Sequence, residues 1–303
     1  MIINFWRQLG RAGIFSLLLL TLSSCGFLNP RISPNEKVLR SVLQSEVVLH
    51  HYDFDSNAVD YYTEENLRRE WGVDSLNIQN GVVEGRTTIV ADSNRERGRV
   101  LRVLYPKNTF GPAENGAQWL KKFSKRYEEL YVSYWVKFPL GFQFVRGGKL
   151  PGLTGGLANT GGLKPNGVDG WSARVIWQPD GAIRQYVYHV DQSDPRYGDG
   201  RPWNINGQNC LFVPGVWHHL ETYVRMNHPD RNDGRIVCWF DGQPAMDENN
   251  FRFRTDGGLS IDALYFSTFF GGGDSSWSSL RREGVLFDDI VVSRVPIHGF
   301  LFK

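Results

Sequence analysis

The sequence predicts an all-β protein: a sandwich of two antiparallel sheets, of the jelly-roll type, in a single domain. Three observations lead there. About eleven segments have strand patterning and are separated by turn signals. Aromatic residues and glycine are abundant, with 10 Trp, 12 Tyr, 19 Phe and 33 Gly, a mixture that suits strands and turns better than helices. Helix signals are confined to one short stretch. A chain of 303 residues fits one large β-sandwich, and neither an internal repeat nor a change of composition marks a second domain.

The chain begins with a targeting pattern. Arg7 and Arg11 make a positive region, residues 13–22 form an apolar run too short to span a bilayer comfortably, and Leu22-Ser23-Ser24-Cys25 follows. That tetrapeptide resembles the bacterial lipobox. The resemblance implies loss of residues 1–24, lipidation at Cys25 and a mature lipoprotein anchored outside the cytoplasm at the cell envelope. Residues 25–46 are polar, contain two prolines and read as a tether. Losing Arg7 and Arg11 takes the formal charge from +2 to 0, so any anion recognition has to be local. No basic run or basic–aromatic stripe supports nucleic-acid binding.

Residues 47–303 are expected to form the folded domain. Val47 to Asp55 alternates apolar and polar positions as a strand does. Residues 63–70 are the helix candidate, with Thr63 as N-cap. Strand patterning then recurs at 81–91, 99–105, 118–123, 130–138, 172–178, 183–190, 217–227, 235–240, 260–270 and 285–292. Asp180-Gly181 and Asp241-Gly242 are hairpin signals. The stretch 217–227, followed by the hairpin ending at Asp241-Gly242, resembles the paired strands of concanavalin-like sandwiches, a likeness that concerns fold alone.

Between the strands at 130–138 and 172–178 lies Gly147-Gly148-Lys149-Leu150-Pro151-Gly152-Leu153-Thr154-Gly155-Gly156. Five of its ten residues are Gly, and Lys149 is its only charge. It reads as a loop that presents an ammonium group at a defined point, which suits an anionic substrate; the plainer reading is a tight crossing with a solvated Lys. On the next strands the period of two puts Ser172 and Arg174 on one face, and Tyr186 and Tyr188 on one face. The Asp180-Gly181 turn makes those strands neighbours, so the four side chains line one surface. Packing of the tyrosines and a solvated Arg174 are the plainer reading.

Taken in order, Lys149 in its Gly-rich segment, Ser172-x-Arg174 and Tyr186-x-Tyr188 resemble the arrangement of polysaccharide lyase family 14. The resemblance continues through Ser267-Thr268-Phe269-Phe270-Gly271-Gly272 and Phe287-Asp288-Asp289, although the family usually has an aromatic residue where Thr154 stands. It implies a jelly-roll enzyme that cleaves 4-linked uronate polymers, alginate or glucuronan, by β-elimination and without a cofactor. It also implies that Tyr188 and Tyr186 transfer protons, with Tyr188 first, and that Lys149 and Arg174 neutralise the carboxylate. Ser172, Lys149 and Arg174 become the substrate-binding set.

The chemistry agrees with these residue types. The C5 proton of a uronate is weakly acidic, so charge moving onto the C6 carboxylate has to be stabilised by a cation or strong donors. Arg174 offers a planar fork and Lys149 a point charge. Tyr serves as base or acid provided nearby cations lower its pKa, and Lys149 and Arg174 are expected to do so.

Two other functions remain on this fold. A glycoside hydrolase needs two carboxylates flanking the bond; no Glu-x-Asp-x-Glu pattern is present, and Asp288-Asp289, being adjacent, are expected on opposite faces. A carbohydrate-binding lipoprotein without catalysis would use the same cations but has no evident need for two tyrosine hydroxyls beside them. His189 is expected to pack away from the tyrosine pair, and no ligand spacing suggests a metal. Cys210 and Cys238 fit a disulfide or two buried thiols equally well. The expected partners are an anionic polysaccharide and, through Cys25, a membrane; the protein is expected to be a monomer.

Overall fold

Helix α1 (Pro34–Leu43) precedes strand β1 (Val48–Tyr52). The computed structural model describes residues 34–73, 79–92 and 97–302, so the targeting segment and Cys25 lie outside the described residues. Part of the stretch expected to be a tether, Pro34–Leu43, is therefore helical.

Helix α2 (Glu64–Trp71) starts where the sequence places it. Thr63 and Asn66 form a reciprocal capping box, and Gly72 closes the helix in the left-handed conformation at φ 59°. Its Leu67 and Trp71 are buried, and Trp71 stacks on Tyr52 with ring centroids 3.6 Å apart. Short strands β2 (Gln79–Asn80) and β3 (Thr87–Ala91) lead to β4 (Arg99–Tyr105), the short helix α3 (Gly111–Glu114), β5 (Ala117–Tyr127) and β6 (Glu129–Lys137). Next come β7 (Gly148–Gly156), β8 (Gly170–Trp177), β9 (Ile183–Tyr188), β10 (Asp199–Pro202), β11 (Asn204–Ile205) and β12 (Gln208–Asn209). The chain ends with β13 (Trp217–Arg225), β14 (Gly234–Phe240), β15 (Gln243–Phe251), β16 (Ile261–Phe270), β17 (Glu283–Ser293) and helix α4 (His298–Leu301).

Among the described residues the strands form two large antiparallel sheets. One is 8-stranded, in the order β15-β14-β13-β6-β17-β4-β3 with β1 added to β17; the other is 7-stranded, in the order β10-β9-β8-β7-β16-β5-β2. This is the predicted sandwich, and alternation explains its core. Trp171, Ala173, Val175 and Trp177 of β8 face inward, as do Val132, Tyr134 and Val136 of β6. Both predicted hairpins form. Asp180 and Gly181 have φ of 60° and 81°, and Asp241 and Gly242 have 49° and 77°, the doubly left-handed geometry that matches strand twist.

The Gly-rich segment is not a loop, which corrects the sequence reading. It is β7, an interior strand hydrogen-bonded to β8 and β16. Its glycines serve close packing: a Cβ on Gly152 would lie 2.0 Å from the carbonyl oxygen of Ala173, and one on Gly148 would lie 2.1 Å from the Trp177 ring. Pro151 sits at a register shift between Leu150 and Gly152, where a missing N–H is tolerated. The shift lets Leu150 and Leu153 both enter the core although they are three residues apart. It also leaves Lys149, Gly152 and Thr154 on the opposite face.

Candidate active site

The outer face of the 7-stranded sheet is built from rows of side chains set by register. One row runs Phe269, Lys149, Ile176, Arg184 across β16, β7, β8 and β9; the next runs Tyr265, Gly152, Arg174, Tyr186. A third runs Ala263, Thr154, Ser172, Tyr188. Lys149, Ser172, Arg174, Tyr186 and Tyr188 thus share one face, because directly opposed residues in an antiparallel ladder point the same way.

The ammonium of Lys149 lies 4.8 Å from the centroid of the Tyr186 ring. Removal from water, and then the neighbouring charge of Arg174, lower its pKa to about 7. Glycine makes room for it: a Cβ on Gly271 would lie 2.7 Å from Lys149 Nζ.

Arg174 is buried at the floor of the face, only 1% exposed. Its Nη1 donates to Ser267 Oγ at 3.0 Å, its Nη2 donates to Thr160 Oγ1, and its guanidinium lies 5.0 Å from the centroid of the Tyr265 ring. Nε is buried with no hydrogen-bond partner among the described residues. Tyr265 is held in turn by donating to Gln118 Oε1 at 2.9 Å. Among the described residues neither Arg174 nor Lys149 has a carboxylate partner.

The Tyr186 and Tyr188 hydroxyls are 3.4 Å apart and their rings meet edge to face at 5.4 Å. Tyr188 is 1% exposed and accepts the N–H of Gly162 at 3.4 Å, whereas Tyr186 is only partly buried and lies under Lys149. Here an expectation is corrected. Burial, with the hydroxyl of Tyr188, raises the pKa of Tyr186, and the opposing pull of Arg174 does not overcome it. Tyr186 therefore keeps its proton at neutral pH.

Ser172 is also placed differently from the expectation. It is fully buried, and its hydroxyl donates to the carbonyl of Asn159 at 2.7 Å. With Thr160 on Arg174 and Gly162 on Tyr188, this contact holds the 157–169 segment over the floor of the site. Thr154 is buried as well and donates to the carbonyl of Trp171, so the position where the family has an aromatic residue is closed to solvent. Sequence reading missed Tyr265, Thr160 and Gln118. Tyr265 and Ser267 alternate along β16, a period-two signal that was available; the loop residue Thr160 had none.

Asp288 and Asp289 do not lie on opposite faces as expected. A register shift after Asp288, with Asp289 at φ 44°, turns both carboxylates to Arg97, the Arg97 Nε to Asp288 Oδ2 distance being 2.5 Å. They belong to β17 of the 8-stranded sheet, not to the sheet that carries Lys149. His189 is buried, lies 3.0 Å from Asp199 Oδ2 and packs edge-on against Phe251. Cys210 and Cys238 are free, buried thiols. Among the described residues no cluster of three or more His, Cys, Asp or Glu is arranged to hold a metal ion.

A family model described as polysaccharide lyase 14 matches residues 93–290. No curated protein matches the sequence. Among solved structures, the alginate lyase Aly36B is 24% identical with a TM-score of 0.69, covering 81% of this chain and 96% of its own. A variant of that lyase with one Lys and one Tyr changed to Ala is known in complex with an alginate tetrasaccharide. The marine alginate lyase from Aplysia kurodai is 21% identical with a TM-score of 0.66, over 81% of this chain and 98% of that one. The endo-β-1,4-glucuronan lyase from the fungus Trichoderma reesei is 16% identical with a TM-score of 0.53, over 82% and 96%. At these identities the likeness to solved structures is one of fold.

Proposed function

The chain belongs to the polysaccharide lyase 14 family, and from that membership we propose that it cleaves a 4-linked uronate polymer, of alginate or glucuronan type, by β-elimination. It is a polysaccharide lyase by family; the substrate and the roles below are our reading. One observation supports that reading above the others. Two desolvated cations that have no carboxylate partner among the described residues, Lys149 and Arg174, share the outer face of the 7-stranded sheet with a touching pair of tyrosine hydroxyls.

Arg174 supplies the fixed charge. As C5 loses its proton, negative charge grows on the C6 carboxylate, and a preorganised guanidinium in a site of low polarity stabilises it far better than water does. Lys149, with its pKa near 7, is partly neutral at working pH and accepts the C5 proton. The electron pair released at C5 becomes the C4=C5 double bond as the C4–O4 bond breaks. Tyr186, which stays protonated, gives its proton to O4, with Tyr188 hydrogen-bonded behind it. Lys149 then holds the extra proton 4.8 Å from the ring of the tyrosinate, placed to return it and reset the site. In this division the tyrosine pair supplies the acid and Lys149 the base, instead of tyrosine serving as both.

The test is direct. Purified protein is incubated with mannuronate-rich alginate, guluronate-rich alginate and glucuronan, and the conjugated double bond of the unsaturated product is followed by ultraviolet absorbance. Product is expected from at least one polymer and is lost in Lys149→Ala. Binding of these polymers with no unsaturated product from any of them would sink the proposal.

The targeting pattern around Cys25 supports a lipoprotein of the cell envelope. On that reading Cys25→Ser moves the protein from the membrane fraction to the soluble one; a variant still bound to membranes speaks against the anchor.

A further inference from the structure

Among the described residues, Lys149 and Arg174 are not the only cations near the site without a carboxylate ion pair. Arg184 is exposed in the same row as Lys149, two strands away across β8, and among the described residues its guanidinium makes one hydrogen bond, at 3.4 Å to the carbonyl of Gly200. Two strand spacings are about 10 Å, on the order of two sugar residues of a 1,4-linked chain.

On the other side of Lys149, strand β16 ends and Gly271-Gly272 follow. A Cβ on Gly271 would touch Lys149 Nζ, and one on Gly272 would lie 2.1 Å from Trp277 Nε1. The ammonium and the indole therefore flank the same dipeptide. Gly272 has φ +122°, a conformation that side chains rarely adopt, and its bare backbone is what the indole packs on. Arg146 lies over that indole at 4.8 Å from its centroid and donates through Nη1 to Ser276 Oγ at 2.5 Å. Ser276 is itself fixed, its N–H donating to Asp274 Oδ1 at 2.9 Å.

Arg146 is thus an exposed guanidinium held at two points with only one of its five donors used. Among the described residues no carboxylate makes a direct ion pair with it; Asp274 feels its charge but is joined to it only through Ser276. Other cations do have such a partner: Lys137 meets Asp92, Arg235 meets Asp247 and Lys122 meets Asp262. A solvated arginine kept for solubility has no need of a stacked platform. A fork fixed at two points, with most of its donors open and its nearest carboxylate, Asp274, reached only through Ser276, is suited to an external carboxylate.

We propose that Arg146, backed by Trp277, and Arg184 are two outlying carboxylate subsites on opposite sides of Lys149, so that the uronate chain lies across the strands. The inference rests on the uronate lyase reading and extends it to the direction and length of the bound chain. Its chemistry is ion pairing only; no bond to either arginine forms or breaks.

The experiment measures kcat and KM on polymer and on a ladder of oligosaccharides for wild type, Arg146→Ala, Arg184→Ala, Trp277→Ala and Trp277→Phe, with thermal unfolding of each. Each arginine variant is expected to raise KM on polymer roughly tenfold with kcat nearly unchanged, as lost binding common to ground and transition states does. The loss should fade on the shortest cleavable oligosaccharides, which cannot reach both arginines. Trp277→Ala should reproduce part of the Arg146→Ala defect and Trp277→Phe should restore it, since Phe keeps a face for the guanidinium. An unchanged KM in both arginine variants, with wild type active and Lys149→Ala inactive, overturns this inference and leaves the lyase reading standing. A fall in kcat at constant KM overturns it too, because the arginines would then act at the reacting bond. A wild type that forms no unsaturated product from any uronate polymer removes both.

Discussion

At the scale of single residues, the protonation of Lys149 separates two mechanisms. If Lys149 accepts the C5 proton it has to be neutral, so kcat/KM should rise as pH climbs through about 7, the value to which burial and Arg174 bring it. If it serves only as a cation, the profile should fall over the same range. In the complex the substrate carboxylate favours the charged ammonium, so the corresponding limb of kcat should sit at higher pH than that of kcat/KM. Lys149→Arg keeps the charge but cannot lose its proton; we expect a loss of about 10²–10⁴-fold in kcat. Activity close to wild type in that variant would return Lys149 to the role of clamp. The tyrosines divide in the same manner. Tyr186→Phe removes the hydroxyl of the ring that lies against Lys149 and should cost more in kcat than Tyr188→Phe, which removes its enclosed partner. Equal losses would mean that the pair acts as one relay.

At the scale of elements, β7 decides the site, and its glycines differ in what they protect. At Gly152 an added Cβ meets the backbone of β8, the Ala173 carbonyl at 2.0 Å, and backbone does not yield. Gly152→Ala should therefore destabilise the fold by at least about 2 kcal/mol, read as a lower unfolding midpoint. At Gly271 the added Cβ meets the end of a flexible side chain, Lys149 Nζ, so the fold should survive while the ammonium shifts. Gly271→Ala is expected to keep its unfolding midpoint and lose roughly tenfold or more in kcat, the cost of misplacing a reacting group. The same strand shows why some of the structure was hidden in the sequence. Strands such as β4, β6, β8 and β13 are legible because apolar residues recur at every second position and face the core. In β7 the partners' backbones and the Trp177 ring fill the places where side chains would stand, so the pattern reads as turn material. The strand β15 was missed for another reason: it is a polar edge strand, Gln243–Phe251, with few side chains in the core. Asp288 and Asp289 misled through a register shift that alternation cannot anticipate. The candidate site itself was legible because Ser172, Arg174, Tyr186 and Tyr188 keep strict period-two spacing, whereas burial, which sets the proton affinities of Lys149 and Tyr186, leaves no local pattern.

At the scale of the whole molecule, the distribution of pairing matters more than net charge. The formal charge of the full chain is only +2, yet among the described residues Arg146, Lys149, Arg174 and Arg184 make no direct ion pair with a carboxylate. Elsewhere Arg97 meets Asp288, Arg235 meets Asp247 and Arg254 meets Glu128. A surface whose cations are already paired offers little to a polyanion, while unpaired cations on one face create a local field without charging the protein as a whole. Salt should reveal the difference. Raising ionic strength from about 0.05 M to about 0.5 M shortens the screening length from more than 10 Å to about 4 Å, shorter than the roughly 10 Å of two strand spacings between Arg184 and Lys149. KM on polymer should therefore rise several-fold across that range, with kcat little changed, because the desolvated charges at the centre are screened much less than the exposed ones. The double variant Arg146→Ala/Arg184→Ala should begin with a high KM and respond only weakly to salt. Arg235→Ala, which removes a cation already paired on the other sheet, should retain the steep response of the wild type. If instead the double variant keeps that response and Arg235→Ala loses it, the polymer is held by the 8-stranded sheet, and the unpaired cations around Lys149 are not its track.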